Sequence, residues 1–503
     1  MNKYVSQVEG FRDIIIYGEG KIGKQTFQIL KELGLEHKVR YFAKSEKIFE
    51  SYLIQGIQVK SIYDLKEYYT SAIFLLAVGD KYISELKKIA KDLKIKHKMD
   101  ARKVYAESYQ KSDLWLMARK RRIAYYKWKE CQNHNQDSIN ICASHITYCF
   151  VSNAGDTVLS QCVRRFLGFR KWNIMDVSQK VDQNLIEEIN KSDILLIGGG
   201  GLFLPDTNEN SISGWQWAIS KEQIDQIKVP IVIFSVGYNY FRGQTNSELF
   251  TSSLNHIVRK AAFVGLRNKG SVEVIRELVD DSLKDKILYQ PCTTTLISKI
   301  YGVYSKRNTK VVAFNIAFDR EERRYGDNKE VILSQVAMAA GLIEEKGYEI
   351  VYVAHSDGDL RFLPYLNKAG VNYKVKNLTQ SFPGEVIRFY KQIEVVIGMR
   401  GHAQMIPFGV GVKIISLGTH DKMRWFLQDI SMEECYINLN EECDKISNRI
   451  MKIFSDIVIK YAEEMDMKLR NEQERLWEIS CKNKKEILHL LDEYKKKKKK
   501  RDN

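Results

Sequence analysis

The sequence predicts an α/β protein built from doubly wound parallel sheets, and three observations carry that expectation. Short β-branched runs recur along the chain, each followed by a glycine-bearing turn and then by apolar residues at helical spacing, as in Asp13–Tyr17, Gly18–Gly23 and Lys24–Leu33. The strand–helix alternation restarts near residue 139 and again near 309, so several such units follow one another. A chain of 503 residues is also too long for one hydrophobic core.

Residues 1–105 read as a first, Rossmann-like domain, with strands at Asp13–Tyr17, Val39–Ala43, Ile57–Val59 and Ala72–Val78. The turn GEGKIG places Gly18, Gly20 and Gly23 after the first strand, in the spacing of a dinucleotide-binding loop. The acidic residue that would bind a ribose at the end of the second strand is replaced by Ala43, Lys44 and Ser45, which makes NAD a poor fit. Two readings stand: the glycines serve tight turning and helix–strand packing, or they hold a nucleotide or nucleotide-sugar. Residues 106–138 read as a basic linker helix. Arg119–Arg122 are best taken as its solvated face, because no folded nucleic-acid-binding motif accompanies them.

Residues 139–308 form the next α/β unit, with strands at Ile139–Ala143, Asp193–Ile197, Val229–Val236 and Ala262–Gly265. SNAGDTVL at 152–159 opens a helix, and Asn153 and Asp156 sit where an N-cap is expected. Asp156 has a second reading, as a base or an orienting group for a hydroxyl. Asp193–Ile197 ends in Gly198–Gly201. Gly199, Gly200 and Gly201 are either part of a tight strand-to-helix turn or backbone that cradles an anion. Residues 309–445 repeat the pattern, with Val311–Phe314, a helix through 330–346, Glu349–Val353 and the stretch Ile393–Asp429. There Ile393–Ile397 is a strand ended by Gly398, Arg400 and His402 stand at a helix start, and Thr419, His420 and Asp421 follow the next strand, Val412–Leu417. Loops beyond the carboxyl ends of parallel strands form the ligand crevice, so Arg400, His402, Thr419 and His420 are expected to face one cleft. His355, after Val353, is read as a polar loop residue. Residues 446–503 turn helical and run into the unbroken basic segment Lys495–Arg501.

A net charge of +16 suits acidic partners such as phosphorylated metabolites or an anionic membrane. The eight cysteines show no CxxC pair and no zinc-ligand spacing, so reduced thiols and no metal are expected. Neither a signal-peptide core nor an apolar run of about 20 residues is present, which points to the cytoplasm.

Four stretches resemble the polysaccharide pyruvyl transferases in the family's usual order: SNAGDTVL, DILLIGGGGLFL at 193–204, VGLRNKGSVEVI at 264–275 and GMRGHAQMIPFGVGVKIISLGTHDKMRWFL. The resemblance covers roughly residues 140–430. It implies two Rossmann-like halves in a glycosyltransferase-B-like arrangement, to which this chain adds the N-terminal Rossmann-like domain and the helical C-terminus. It implies transfer of pyruvate from phosphoenolpyruvate to two hydroxyls of a sugar, forming a ketal, with no obligatory cofactor. Arg400 and His402 match the family's Arg-x-His signature, which assigns Arg400 to the donor's phosphate or carboxylate and His402 to general acid catalysis. Arg267 matches the second arginine, and His420 with Asp421 would assist phosphate departure. Gly401 stands where the family often has a larger side chain. Acceptors in the family are often lipid-linked, which gives Lys495–Arg501 two readings: contact with the anionic inner face of a membrane, or a solubilising tail. The alternatives are a nucleotide-sugar glycosyltransferase on the same scaffold and a non-catalytic nucleotide-sugar-binding protein of an assembly complex.

Overall fold

The computed structural model describes residues 7–32, 35–49, 51–101, 138–148, 153–241, 243–306, 308–379 and 381–502, in two compact units, 1–134 and 135–503. Apart from Ser138, the expected linker helix lies outside the described residues, as do Ser152, Cys131 and Cys149.

In the first unit, β1 (Ile14–Tyr17), β2 (Val39–Lys44), β3 (Leu53–Ile54), β4 (Ile57–Ser61), β5 (Ile73–Leu76) and β6 (His97–Asp100) form one sheet in the order β3-β4-β2-β1-β5-β6. All pairs are parallel except β3 with β4. β1 and β5 are buried on both faces, as central parallel strands must be when helices cover them. Between β1 and the helix α1 (Lys21–Glu32), Gly18 has φ +124° and Gly23 lies on its carbonyl, so a Cβ at either position would overlap backbone. Gly20 has open space around it. Packing therefore accounts for Gly18 and Gly23.

The second unit carries two six-stranded sheets, both wholly parallel. Its first half contains β7 (Ile139–Thr147), β8 (Phe169–Asp176), β9 (Ile194–Phe203), β10 (Ile231–Tyr238), β11 (Phe263–Leu266) and β12 (Ile287–Tyr289), ordered β12-β11-β10-β9-β7-β8. Its second half contains β13 (Val311–Asn315), β14 (Glu349–Ala354), β15 (Tyr373–Asn377), β16 (Val395–Gly398), β17 (Lys413–Gly418) and β18 (Tyr436–Asn438), ordered β15-β14-β13-β16-β17-β18. The order reverses between β7 and β9 in one half and between β13 and β16 in the other. Ligands bind at such reversals.

Four helices head into these crevices: α2 (Ala154–Leu167) after β7, α3 (Lys269–Leu278) after β11, α4 (His402–Val410) after β16 and α5 (Asp421–Asp429) after β17. α2 belongs to the first half, yet Ala154, Val158 and Cys162 pack with Ala313, Val353 and Ile406 of the second. A long terminal helix, α6 (Ala462–Asp502), lies on both halves. It buries Leu469, Leu476, Ile487 and Leu491, and donates from Gln473 to the Phe408 carbonyl and from Asn483 to the Tyr289 carbonyl. This is the expected arrangement of two halves with a helical C-terminus.

One expectation needs correction. Gly198–Gly201 do not end the strand: β9 runs through them to Phe203, and the next helix begins only at Lys221. Two of the glycines stay in the ladder, Gly198 beside Phe234 and Gly200 beside Val236. His355 stands in the loop after β14, as expected, and is wholly buried there, with Nε2 against the Tyr390 hydroxyl.

Candidate active site

The cleft is built where the two sheet reversals meet. β16 delivers Met399–His402, and the backbone is pinned there by Asn315: Met399 N–H donates to its carbonyl at 2.9 Å and Arg400 N–H to its side-chain oxygen at 3.3 Å. The Arg400 guanidinium then forms a fork on Asp359, with Nε 2.9 Å from both carboxylate oxygens and Nη2 2.6 Å from one. Nη2 also lies 2.9 Å from Asp319. Burial favours the neutral guanidine, but Asp359 and Asp319 outweigh it and hold Arg400 charged. Its charge is matched from within the protein.

His402 is the first residue of α4, where the helix dipole disfavours a cation. Its ring packs on Gly155, where any Cβ would fall inside the imidazole. Nδ1 is 3.9 Å from Asp156 and Nε2 is 3.9 Å from the Cys292 thiol. Burial, with Arg267, His355 and Lys422 nearby, pushes the imidazole well below its ordinary pKa. Asp156 is in the first turn of α2, whose N-cap is Asn153, accepting from Gly155 N–H at 2.9 Å. Burial raises the Asp156 carboxyl to about 6, against the pull of Arg267, Lys422 and Arg400. A neutral histidine thus stands beside a carboxyl that titrates near neutrality.

Arg267 follows β11, its guanidinium lying over Gly237 and donating to the Asn239 side-chain oxygen at 3.1 Å. Among the described residues its buried Nε has no hydrogen-bond partner, nor has Nδ2 of the adjacent Asn268, the residue that caps α3. Ser271 is not that cap; its hydroxyl accepts from Tyr238 N–H at 3.0 Å. The Asn239 amide fills the space a side chain at Gly201 would need, while Gly199 admits Leu159 and Gly200 faces Leu159 and Asp156. The glycine run therefore lets β9 pass close beneath these groups.

His420 caps α5 through Nδ1, which accepts from Lys422 N–H at 3.1 Å, and its Nε2–H donates to the Asn239 carbonyl at 3.2 Å. Both ring nitrogens are in use, so the ring is neutral. Thr419 accepts from Arg324 at 2.9 Å. Lys422 is half-buried, and burial together with Arg324 and Arg267 lowers its ammonium to about 7.

Charge matching identifies which cations remain for a ligand. Asp359 and Asp319 neutralise Arg400 and Arg324, and Arg320 reaches across the halves to Asp206. Arg267 and Lys422 have no carboxylate ion-pair partner among the described residues, and both face the neutral His402. Such a set suits a small, multiply charged anion beside a proton carrier. Of the residues singled out from sequence, Arg400, His402, Arg267, Asp156 and His420 come together here. Sequence reasoning missed Asp359, Asp319, Asn239 and Lys422. Only Lys422 left a local signal, two positions after His420 in the same loop.

A family model described as polysaccharide pyruvyl transferase matches residues 17–421. No curated protein matches the chain. Among solved structures it is similar to a glycosyltransferase from Rickettsia africae ESF-5, at 12% identity and TM-score 0.45 over 70% of this chain and 98% of that one. It is similar also to UDP-GlcNAc 2-epimerase from Neisseria meningitidis bound to UDP-GlcNAc, at 12% identity and TM-score 0.42 over 71% and 100%. A third is sucrose-phosphate synthase from Thermosynechococcus elongatus, at 12% identity and TM-score 0.41 over 70% and 99%. These likenesses are of fold and carry no chemistry.

Proposed function

The chain belongs to the polysaccharide pyruvyl transferase family, and from that membership we propose that it moves a pyruvyl group from phosphoenolpyruvate to two hydroxyls of a sugar in a cell-surface polysaccharide or its precursor. The observation that carries this reading is the pair Arg267 and Lys422, two cations with no carboxylate ion-pair partner among the described residues, close to His402 and Asp156. The donor's phosphate and carboxylate supply the anionic charge that this pair lacks. Arg400 adds its Nη1, which makes no hydrogen bond among the described residues.

The resting His402 is neutral first because it is buried and then because the cations Arg267 and Lys422 lie close by. Donor binding cancels part of that field, so the imidazole gains a proton in the complex. The imidazolium then protonates the methylene carbon, leaving an oxocarbenium-like C2. A sugar hydroxyl attacks C2 while Asp156, with its carboxyl near 6, accepts the hydroxyl proton. The C2–O bond to phosphate breaks with its electron pair going to the phosphate oxygen, which takes the proton from Asp156 and leaves as inorganic phosphate, and the second hydroxyl closes the ketal and returns its proton to His402. No electrons are gained or lost, so no redox cofactor is required. The exposed lysines Lys496–Lys500 continue α6 past its last buried residue, Leu491, and hold the enzyme at an anionic membrane face where a lipid-linked acceptor resides.

The test is thermal stability with phosphoenolpyruvate, a uridine diphosphate sugar and NAD in parallel, on the wild type and Lys422→Ala. A ligand at ~100 times its dissociation constant adds about 2.7 kcal/mol. Stabilisation by phosphoenolpyruvate that is lost in Lys422→Ala is the expected result. The same pattern with the nucleotide sugar instead would replace this reading with a glycosyltransferase.

A further inference from the structure

We propose that Asp359 is a positioning residue for both sides of the cleft. On the second half its carboxylate aims Arg400. Through the loop that follows β14, it also ties down the start of the first-half helix that carries Asp156. The role in turnover rests on the donor reading above; the geometry does not.

Asp359 is wholly buried, and a lone buried carboxylate is costly unless it is fully bonded. Here it accepts from Arg400 through both Nε and Nη2. It accepts as well from Asn315 Nδ2 at 3.1 Å, from His355 N–H at 3.0 Å and from Ser356 N–H at 3.2 Å. The two backbone donors fix the His355–Ser356 peptide. The His355 carbonyl in turn accepts from Ala154 N–H at 3.2 Å, and Ala154 is the first residue of α2, two positions before Asp156. One carboxylate therefore joins the guanidinium of one half to the helix N-terminus of the other. Asp319, the second partner of Arg400, is a third exposed and among the described residues makes no comparable link to α2. Nε and Nη2 are held on Asp359 in a bidentate fork, a geometry that asparagine cannot reproduce because its amide would face the guanidinium donors.

The experiment has one arm that needs no donor. Phenylglyoxal modifies free guanidinium groups, and its rate at Arg400 can be followed by peptide mapping against the exposed Arg361. In Asp359→Asn the Arg400 rate is expected to rise at least tenfold relative to Arg361, and in Asp319→Asn by much less. The second arm is turnover: Asp359→Asn is expected to raise KM for phosphoenolpyruvate and lower kcat together, about 100-fold in kcat/KM. An unchanged Arg400 rate in Asp359→Asn would overturn the proposal. So would equal increases in the two variants. If the wild type turns over no phosphoenolpyruvate, the donor reading fails while the modification arm still decides whether Asp359 aims Arg400. Should Asp359→Asn not fold, Asp359→Glu keeps the charge but moves the carboxylate off the fork by one methylene. A rise in Arg400 reactivity in that variant supports the proposal, and an unchanged rate rejects it.

Discussion

At the residue scale, Asp156 trades stability for reactivity. Its carboxyl titrates at about 6 in the folded protein, against an ordinary value of 3.8. A raised carboxyl pKa means the folded state holds a proton that the unfolded chain has released, so stability falls as pH rises between those values and the cost persists at neutral pH. Asp156→Asn should therefore stabilise the protein at pH 7.5 by about 1–2 kcal/mol, a figure reduced because 24% of the side chain is exposed. At pH 3.5 the gain should vanish, and turnover should be lost at every pH. Urea midpoints at the two pH values check the sign; equal midpoints for variant and wild type at both would refute it. Arg400 and His402 were legible in the sequence because both stand just past the end of a buried β-branched run, where a crevice forms, and Arg267 was legible through the motif it shares with the family, just past a strand end. Asp359 was not. It lies 41 positions from Arg400, and nothing local distinguishes it from the neighbouring Asp357. Lys422 was missed for a related reason, since its unusual ammonium comes first from burial in the fold and then from arginines on distant segments.

At the element scale, the contact between α2 and α4 is set by a missing side chain. The His402 ring occupies the space that a Cβ at Gly155 would fill. Gly155→Ala should therefore displace the ring, at about 1–3 kcal/mol of overpacking and a loss of about 100-fold in kcat from misplaced chemistry. Gly401 makes the contrast. Its φ of −53° and ψ of −48° are ordinary helical values. A Cβ there would meet nothing closer than 4.0 Å, so Gly401→Ala should change stability by less than about 0.5 kcal/mol and leave kcat intact. The two variants are compared by thermal midpoint and initial rate, and an indifferent Gly155→Ala would refute the packing argument. The motif flags Gly401 as unusual, whereas space in the fold makes Gly155 the glycine that matters. The run Gly198–Gly201 teaches the same lesson. Four glycines read as a strand's end, yet β9 continues through them, with the Phe234 carbonyl at Gly198, Leu159 at Gly199 and Asn239 at Gly201 standing where side chains would be.

At the scale of the whole molecule, the alternation of strands and helices foretold three sheets, but not the path of α6. Its contacts join residues 194 and 318 positions apart, Asn483 with Tyr289 and Lys484 with Phe166, and no local pattern encodes such pairings. α6 leaves the body at Tyr494, which donates to the Lys228 carbonyl, and Lys495, which is 3.5 Å from Asp193. Deleting 496–503 keeps both contacts, so it tests the basic end without loosening the helix. Co-sedimentation with vesicles containing anionic lipid should fall at least tenfold in the deletion, while zwitterionic vesicles bind neither protein. Equal binding of both proteins to the anionic vesicles would reject the membrane role. The cleft itself carries one more consequence, and it lies in Asp319. This carboxylate sits 2.8 Å from Arg324 and 2.9 Å from Arg400, with Lys422 nearby. In kinetic language the resting enzyme contains its own competitor, tethered at an effective concentration of roughly millimolar or more. A weak monovalent anion from solution must contend with it for Arg324 and Arg400, whereas a ligand bearing several charges has Arg267 and Lys422 as well. Background salts are thereby kept off Arg324 and Arg400 without any gate having to close.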